Sequence, residues 1–397
     1  MSISGGLKMK GKKSSIIITI MIVVILLGYF AYSNFYKVKP VDKYLADNYK
    51  TADLTEEGIS NTFKLIDDSS EYDIFFTGEN HGMLGNEKIS IEMLKYLNQK
   101  EGVRYLICEL QYSIVSKLNQ YIQNGDEQML KEAIEVVRNA APSYGGDDYY
   151  KFWQELYNYN KTLPNDKKIQ AFGIDIDFQV NYTLNEMLSL IPNKEPGEGI
   201  KKKINDFKNI LSNNVEDDEA IVTILVNLNK DINNNADVYK AFFGDNFNKF
   251  KNNLDSMMNT IKFMKNQSEY RDDLIYDNFI RIYNENPKGK YYGQFGTAHI
   301  FRENIKSNGE ETITLAKFIE DKGNLKVLSM PISSSEIVIP KKDIEKLKLE
   351  KFTLFKLNGK NSPYKKGLEN SLVDNLFELT NGSTVDNYQY VICFWYK

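Results

Sequence analysis

Short apolar runs separated by helical patterns are the feature that most constrains the fold of this 397-residue chain. The first three runs are nearly continuous rather than alternating, which is typical of strands covered on both faces. Helical patterns lie between them, such as the apolar stripe of Ile89, Met93 and Leu97. Strands that alternate with helices predict an α/β fold with a mostly parallel central sheet flanked by helices. The runs that we interpret as strands are Tyr72–Thr77, Val103–Cys108, Ile169–Ile174, Tyr291–Phe295, Leu325–Met330 and Tyr388–Trp395.

Residues 196–266 have a different pattern. This stretch is rich in Asn, Lys and Asp, and it shows helical stripes such as Ile221, Ile224 and Leu228 but no strand-like run. We therefore expect a helical insertion between the third and fourth strands. Such an insertion could cap a site on the sheet, or it could pack there without contacting a substrate.

The overall composition is that of a globular protein. A hydrophobic content of 42% and a charged content of 26% are enough to build and solvate a real core. Proteins that bind nucleic acid usually concentrate basic charge, whereas this chain has a net charge of −4 and a pI near 5.6. We therefore expect no nucleic-acid partner.

An uncharged apolar segment near the N-terminus, Ser14–Ser33, has the length that a helix needs to cross a bilayer. Four lysines between positions 8 and 13 precede it, so the positive-inside rule predicts a cytoplasmic N-terminus. We expect a single-pass anchor in the cell membrane with the rest of the chain extracellular. Cleavage after a small-x-small site at Ala31–Ser33 stays open as an alternative.

These patterns divide the chain into four parts. We assign residues 1–13 to a basic cytoplasmic N-terminus, 14–33 to a transmembrane helix, 34–70 to a linker and lead-in, and 71–397 to the α/β domain. The helical insertion lies within the last part.

The two cysteines, Cys108 and Cys393, both lie in apolar, β-rich runs. We interpret them as buried free thiols. A disulfide between two strands stays open, because spacing along the chain does not determine pairing.

The two histidines share a local pattern, Gly-x-x-His. Gly78 precedes His81 in "GENH", and Gly296 precedes His299 in "GTAH"; each follows an apolar run. With 24 glycines in 397 residues, a glycine falls at a chosen position with a chance of about 0.06. A glycine three residues before both histidines therefore indicates a structural or chemical requirement.

Ionisable side chains follow four of the predicted strands where each strand ends. Ligands of open α/β sheets bind beyond the carboxyl ends of the strands, so we expect these side chains to meet at one edge. Taken alone, a histidine after a strand is more often structural, and an aspartate there often caps the next helix. The convergence of four strand ends favours a functional site. The residues are Glu79 and His81 after the first strand, Glu109 after the second, Asp175 and Asp177 after the third, and His299 and Arg302 after the fourth.

Two chemistries fit these residues. In the first, His81 is a general base that activates water, because an imidazole titrates near neutral pH. Glu79 or Glu109 would orient the ring, and Arg302 or His299 would stabilise a developing oxyanion.

In the second chemistry the same residues bind a divalent metal ion. His81, His299, Glu79 and Glu109 would be its ligands, and a metal-bound water would be the nucleophile. The residues by themselves do not choose between the two, so a divalent metal stays a possible cofactor. Gly-x-Ser-x-Gly and phosphate-loop motifs are absent, which disfavours a serine hydrolase and a nucleotide-binding protein.

Several motifs, taken in order, resemble the erythromycin esterase-like family. "GENHG", residues 78–82, resembles its Gly-Glu-x-x-His-Gly signature, one residue shorter between Glu and His. "CELQ", residues 108–111, is similar to its strand that ends in Glu. "YRDDLIYDN", residues 270–278, resembles its Arg-Asp helix, and "FGTAHIFR", residues 295–302, its second His motif.

The resemblance implies a hydrolase of ester or lactone bonds with His81 as general base. It also implies that Glu79, Glu109 and His299 complete the catalytic group. The substrate would be a small ester or lactone, or a peptide. Asn80 occupies the position where the family has Thr. The family also has an arginine near Ser90, where the nearest basic residue of this chain is Lys88. The residues expected to contact substrate are Asp175, Arg302, Arg271 and Lys88.

The repeated Gly-x-x-His pattern also resembles the ChaN-like and Tiki/TraB-like proteins. That wider relation implies two alternatives: a metal-dependent, protease-like hydrolase, and a surface protein that binds haem or metal. The Arg-Asp helix favours the esterase-like interpretation.

Overall fold

The computed structural model of the chain describes residues 40–52, 65–141, 146–212, 218–266, 270–307, 309–334, 352–368 and 378–394. The chain divides into two compact units, residues 1–47 and 48–397. In the first unit the described element is helix α1, Pro40–Asp47. The predicted membrane segment 14–33 lies outside the described residues, and no helix within them is long and apolar enough to span a bilayer.

The second unit contains the sheet and most of the helices. Its described strands are β1 (Tyr49–Ala52), β2 (Ile74–Glu79), β3 (Val103–Gln111), β4 (Gln170–Asp175), β5 (Lys290–Gly296), β6 (Ile305–Ser307), β7 (Glu310–Thr312), β8 (Val327–Ser334), β9 (Phe352–Lys356), β10 (Glu378–Leu379) and β11 (Tyr390–Phe394). Its described helices are α2 (Asn86–Glu101), α3 (Tyr112–Asn124), α4 (Glu127–Ala140), α5 (Asp147–Thr162), α6 (Val180–Ser189), α7 (Glu198–Ser212), α8 (Asp218–Asn234), α9 (Ala236–Phe243), α10 (Phe247–Met264), α11 (Arg271–Glu285), α12 (Thr297–Ile300), α13 (Leu315–Gly323) and α14 (Thr384–Asn387).

Within the described residues, the central sheet has eight strands in the order β1-β9-β11-β8-β2-β5-β3-β4. The strands from β11 to β4 run parallel, while β9 and β1 pair antiparallel at one edge. A smaller antiparallel sheet has the order β10-β6-β7. The predicted α/β fold with a mostly parallel central sheet and flanking helices is confirmed.

Both faces of the central sheet are covered, which explains the nearly continuous apolar runs. Successive side chains of a strand point to opposite faces. Phe75 accordingly packs in one core cluster with Leu106, while Phe76 packs in another with Ile107. Each strand therefore needs apolar residues at consecutive positions.

The described residues between β4 and β5 form helices α6 to α11 and no strand. Helices α7 to α10 cover most of the stretch 196–266. They bury an apolar cluster of their own, which includes Ile204, Leu228 and Phe250. This cluster is distinct from the two that cover the sheet.

The strand bounds differ from the sequence-based ones at the carboxyl ends of β2 and β3. The runs expected to stop at Thr77 and Cys108 continue as strand through Glu79 and Gln111. The last residues of each strand include a polar one, so the apolar pattern of the sequence stops before the hydrogen-bonded strand does. Strands β1 and β9 were not predicted, because runs of only four or five residues cannot be told from other local structure by their apolar pattern.

The two cysteines are both free thiols in the structure. Burial raises the pKa of Cys108 to about 12, and it raises the pKa of Cys393 as well. Neither is therefore an ionised nucleophile at neutral pH.

Candidate functional site

The four strands whose ends carry the predicted residues are direct neighbours, in the order β2-β5-β3-β4. All four run parallel, so their carboxyl ends lie at the same edge of the sheet. Glu79 lies opposite Gly296 in the β2–β5 ladder, and Gln111 lies opposite Asp175 in the β3–β4 ladder. The fold thus brings residues far apart in the sequence to one place.

At the end of β2 a buried carboxylate holds an imidazole. Nδ1 of His81 lies 3.0 Å from Oε1 of Glu79, and Nε2 of Gln294 donates to Oε2 of Glu79 at 2.7 Å. Because a carboxylate only accepts hydrogen bonds, Nδ1 of His81 carries the hydrogen of the first contact. Both oxygens of Glu79 are engaged, so the ring is oriented with Nε2 as the nitrogen that can take up a proton.

His81 is accessible, whereas the carboxylate that holds it is buried. Its side chain is 46% exposed, whereas that of Glu79 is 6% exposed. The hydrogen bond to Glu79 raises the pKa of His81 above its ordinary value of 6.5; burial opposes this increase, and the charge of Glu109 adds to it. A base of this strength can operate near neutral pH.

Glu109 lies in a β-bulge of β3. The pairing of β3 with β4 is regular as far as Cys108 opposite Gly173 and resumes with Gln111 opposite Asp175, so two residues face one. Bulges beside active sites re-aim side chains. A Cβ on Gly173 would lie 2.4 Å from the carbonyl oxygen of Gln111, so the bulge requires a glycine on the neighbouring strand.

Three donors surround the carboxylate of Glu109. Oε2 accepts from the backbone N–H of Gly296 at 2.7 Å, and Oε1 lies 3.2 Å from Nε2 of His299 and 3.4 Å from Nη2 of Arg271. Burial by itself would raise the pKa of Glu109, but His299, Arg271 and the Gly296 amide together lower it to about 2. Glu109 is therefore a fixed negative charge at neutral pH.

His299 lies in the single turn of α12, directly after β5, between two carboxylates. Nδ1 is 2.6 Å from Oδ1 of Asp272, and Nε2 is 3.2 Å from Oε1 of Glu109. Burial opposes the charged ring, but Asp272 and Glu109 raise the pKa of His299 well above its ordinary value. Both ring nitrogens then carry hydrogens, and His299 is a partly buried cation.

Arg271, the first residue of α11, extends this network to β4. Its Nε donates to Oδ1 of Asp175 at 3.0 Å, and its Nη2 donates both to Oδ2 of Asp175 and to Glu109. The guanidinium lies 5.3 Å from the ring centre of the exposed Phe178. Asp175 is therefore occupied in positioning Arg271.

The glycines of the two Gly-x-x-His patterns each make room for the other pattern. A Cβ on Gly78 would lie 2.5 Å from Cδ1 of Ile300 and 3.2 Å from Cα of Thr297, both in α12. A Cβ on Gly296 would lie 3.0 Å from Nε2 of His81 and 3.6 Å from Oε2 of Glu109. The lack of a side chain at each glycine therefore allows the His81 segment after β2 and the His299 segment after β5 to lie in close contact.

A cavity of about 520 Å³, including its open mouth, lies beside Glu79 and Glu109. It is bounded by β3, α2 and α5. The α5 side is aromatic, with Tyr149, Phe152 and Trp153. A small organic molecule bound there would contact Glu79 and Glu109, whereas His81 is connected to the cavity through Glu79.

Two of the expected substrate contacts do not join this group. Nε of Arg302 lies 2.9 Å from Oε1 of Glu320, and Nζ of Lys88 lies 3.1 Å from Oε1 of Glu92. Each cation is engaged by a carboxylate outside the Glu79–His81–Glu109–His299 group. Their expected contact with substrate stays a prediction.

Asp177 is also directed elsewhere. It accepts hydrogen bonds from the hydroxyls of Thr183, Ser256 and Thr260. Burial raises its pKa to about 6, against the effect of these hydrogen bonds. Asp177 ties the end of β4 to helices α6 and α10.

Two functional neighbours were missed in the sequence. Asp272, which holds His299, stands next to Arg271 in "YRDD", and Gln294, which holds Glu79, is a polar residue inside the apolar run of β5. A polar side chain in the middle of a doubly covered strand was the available signal for Gln294.

The donor set does not fit a metal ion shared by the four residues. Both ring nitrogens of His299 donate to carboxylates, which leaves no lone pair for a metal. In the part of the chain that the structure describes, no three His, Cys, Asp or Glu side chains are placed to hold a metal ion.

No known family profile matches the sequence, and no curated protein matches it in sequence. Solved structures do share its fold. A mutant of the erythromycin esterase EreC in its open conformation superposes with a TM-score of 0.62 at 12% identity, over 87% of this chain and 97% of that one. The resemblance inferred from the motifs is thus confirmed at the level of the fold.

Two further structures are similar over most of the chain. A protein from Bacillus cereus gives a TM-score of 0.65 at 14% identity, covering 91% of this chain and 98% of its own. A succinoglycan biosynthesis protein gives 0.66 at 14% identity, covering 90% and 96%. At these identities the likeness establishes the fold alone.

Proposed function

We propose that this chain, which has the fold of erythromycin esterase, is a hydrolase of ester or lactone bonds with His81 as its general base. The observation that carries the proposal is the hydrogen-bonded series Gln294–Glu79–His81, which ends in a half-exposed imidazole. Glu79, which holds the imidazole, also lines the cavity, and an oriented imidazole is what the activation of water requires.

In the proposed reaction, Nε2 of His81 takes a proton from water as the water oxygen attacks the carbonyl carbon of the substrate. The new C–O bond gives a tetrahedral oxyanion. The carbon–oxygen bond to the leaving group then breaks, and Nε2 returns the proton to the departing alkoxide. The carboxylate of Glu79 keeps Nδ1 protonated and stabilises the imidazolium between the two transfers.

The other members of the group act through His81 rather than as bases themselves. With a pKa of about 2, Glu109 stays ionised, and its charge helps to raise the pKa of His81. His299, paired with Asp272 and Glu109, carries the compensating positive charge. We assign both residues a positioning role.

The shared fold with erythromycin esterase supports the hydrolase class. We do not propose the metal-dependent alternative, because His299 has no lone pair to offer a metal. We further propose that residues 14–33 anchor the enzyme in the cell membrane with the catalytic domain outside, on the evidence of their apolar length and the lysines before them.

The test is hydrolysis of p-nitrophenyl acetate and of a simple lactone by the full chain. His81→Ala is expected to lower kcat/KM at least about 100-fold, the range for loss of a general base, with little change in Tm. EDTA is expected to leave the wild-type rate unchanged. Absence of hydrolysis in the wild type, or a chelator-sensitive rate, would contradict the proposal.

A further inference from the structure

A second cavity lies at the outer edge of the central sheet, bounded by helix α3, strand β4 and helix α10. We call it the edge cavity. Its volume of about 840 Å³, including its open mouth, is in the range of cavities that hold small molecules. None of the described residues that line it belongs to the Glu79–His81–Glu109–His299 group. Its lining is mostly neutral and polar, and it includes four side-chain amides, a tyrosine, a phenylalanine and a lysine.

Two asparagines of α3 present amide donors to the edge cavity. Oδ1 of Asn119 accepts from the backbone N–H of Ala171 at 2.8 Å, and Oδ1 of Asn124 accepts from the backbone N–H of Asp126 at 2.9 Å. Each of these contacts engages the oxygen of the amide and fixes its orientation. Among the described residues, the Nδ2 group of neither asparagine has an acceptor. Each Nδ2 group is therefore left to donate to a bound molecule.

Two glutamines of the same helix are held the other way round. Nε2 of Gln120 donates to the carbonyl oxygen of Ser116 at 3.1 Å, and Nε2 of Gln123 donates to the carbonyl oxygen of Ile169 at 3.3 Å. These contacts engage the nitrogen of each amide, so Oε1 is left to accept. The α3 wall thus offers fixed donors and fixed acceptors side by side. A hydroxyl group both donates and accepts, so this wall suits a ligand with several hydroxyls.

A buried tyrosine hydroxyl in the lining has a hydrogen without a partner. Tyr112, the first residue of α3, lines the edge cavity and is 7% exposed. Its hydroxyl oxygen accepts from Nδ2 of Asn252 at 3.5 Å, and within the described residues its own hydrogen has no acceptor. Buried hydroxyls are normally paired, because an unpaired one costs free energy. An oxygen of a bound molecule would complete the hydrogen bonds of Tyr112.

Phe172 gives the edge cavity an apolar surface. It belongs to β4, the outermost strand of the sheet among the described residues. Its side chain is half-buried, whereas its neighbours Ala171 and Gly173 are buried. The face of an aromatic ring carries partial negative charge, which attracts the polarised C–H groups of a sugar ring. Fixed amides beside an aromatic ring are thus complementary to a saccharide.

Lys249 supplies the charge of the edge cavity. It lies in the first turn of α10, and its side chain is half-buried. Among the described residues it has no carboxylate partner, and no other charged residue lines the cavity. A carboxylate on the bound molecule would pair with Nζ of Lys249 in a charge-assisted hydrogen bond.

We propose that the edge cavity binds a saccharide that carries a uronic-acid unit. The hydroxyls of the sugar pair with the amides of α3 and with Tyr112, its ring packs against Phe172, and its carboxylate pairs with Lys249. This site is separate from the strand-end group that contains His81. Its binding of a saccharide therefore does not depend on the proposed hydrolase function.

The first test compares methyl β-D-glucuronide with methyl β-D-glucoside, which has a hydroxymethyl group in place of the carboxylate. Their dissociation constants are measured by isothermal titration calorimetry of the full chain. The glucuronide is expected to bind about ten-fold more tightly than the glucoside. Lys249→Gln is expected to remove most of this preference. Lys230→Gln, the same change at an exposed lysine of α8 outside the cavity, is expected to keep it.

The second test separates recognition of the sugar from recognition of its charge. Tyr112→Phe removes one hydroxyl and is expected to weaken the binding of both glycosides about five-fold, with the preference for the glucuronide kept and little change in Tm. No measurable binding of the glucuronide, or equal binding of the two glycosides by the wild type, overturns the inference. A preference that persists in Lys249→Gln, or unchanged binding in Tyr112→Phe, overturns the assignment of the saccharide to this cavity.

Discussion

Gly296 lies directly against the ring of His81: a Cβ at position 296 would come within 3.0 Å of both Cε1 and Nε2. Contacts that short between a Cβ and another heavy atom are tighter than nearly all real ones, so one of the two groups would have to move. The backbone at Gly296 has φ −49°, which any residue can adopt. The glycine is therefore required for space rather than for backbone conformation.

Gly296→Ala is expected to displace the His81 ring and to lower kcat/KM by at least about ten-fold, because small misplacements of a catalytic group are costly. The change in Tm should be small by comparison, since the ring is half exposed. Gly199→Ala is the matched control: a Cβ at that position would meet nothing within 4 Å, and activity should not change. Wild-type activity in Gly296→Ala would show that the ring position does not matter.

Glu79→Gln should move the pH dependence of hydrolysis. A general base works in its unprotonated form, so kcat/KM falls as the pH drops through the pKa of His81, which lies above 6.5 in the wild type. Glu79 makes the largest contribution to that raised pKa, so its loss should shift the acidic limb to lower pH and also lower the plateau. An acidic limb that stays at the same pH would exclude Glu79 as the partner that tunes His81.

His299→Gln should destabilise the protein by about 3–5 kcal/mol at neutral pH, because it removes the cation paired with the buried Asp272 and one of the two cations paired with Glu109. The wild-type contribution has a defined pH dependence. The folded pKa of His299 is raised, so its stabilisation is complete below about pH 6.5 and is lost as the pH rises through the folded value. Urea unfolding from pH 6 to pH 10 should therefore show a decline in the wild type that is smaller in His299→Gln. Parallel curves for the two proteins would argue that His299 is not charged in the fold.

Gly173→Ala should disturb the bulge that presents Glu109. The added methyl would meet the carbonyl oxygens of Leu110 and Gln111 at 2.5 Å and 2.4 Å, so the backbone of β3 must shift. We expect a loss of about 1–3 kcal/mol, as for other overpacked sites, together with a fall in kcat/KM. Unfolding by urea and hydrolysis of p-nitrophenyl acetate measure the two effects. A stable variant of full activity would mean that the bulge does not position Glu109.

Much of the sheet could be predicted because its signal is local. Apolar residues at consecutive positions, as in Phe75 and Phe76, indicate a strand buried on both faces, and helical stripes between such runs imply parallel connections. Strand β9 escaped prediction because its run of five residues, which includes Thr353 and Lys356, is too short to be told from other local structure. The ends of β2 and β3 were placed too early, since Glu79 and Glu109 are polar residues that the tertiary fold nevertheless keeps in the ladder.

The sequence by itself determined that Glu79, His81, Glu109 and His299 would gather at one edge, because parallel strands end on the same side of a sheet. It did not determine the pairing of the charges. Asp272 binds His299 across 27 positions of sequence and Arg271 binds Glu109 across 162, while Arg302, close to His299 in sequence, binds Glu320. Hydrogen bonds and ion pairs act over about 3 Å, and only the packing of α11 and α12 against the strand ends sets distances on that scale. The tertiary structure thereby separated one oriented, half-exposed imidazole, His81, from one partly buried cation, His299, in two motifs that look alike in the sequence.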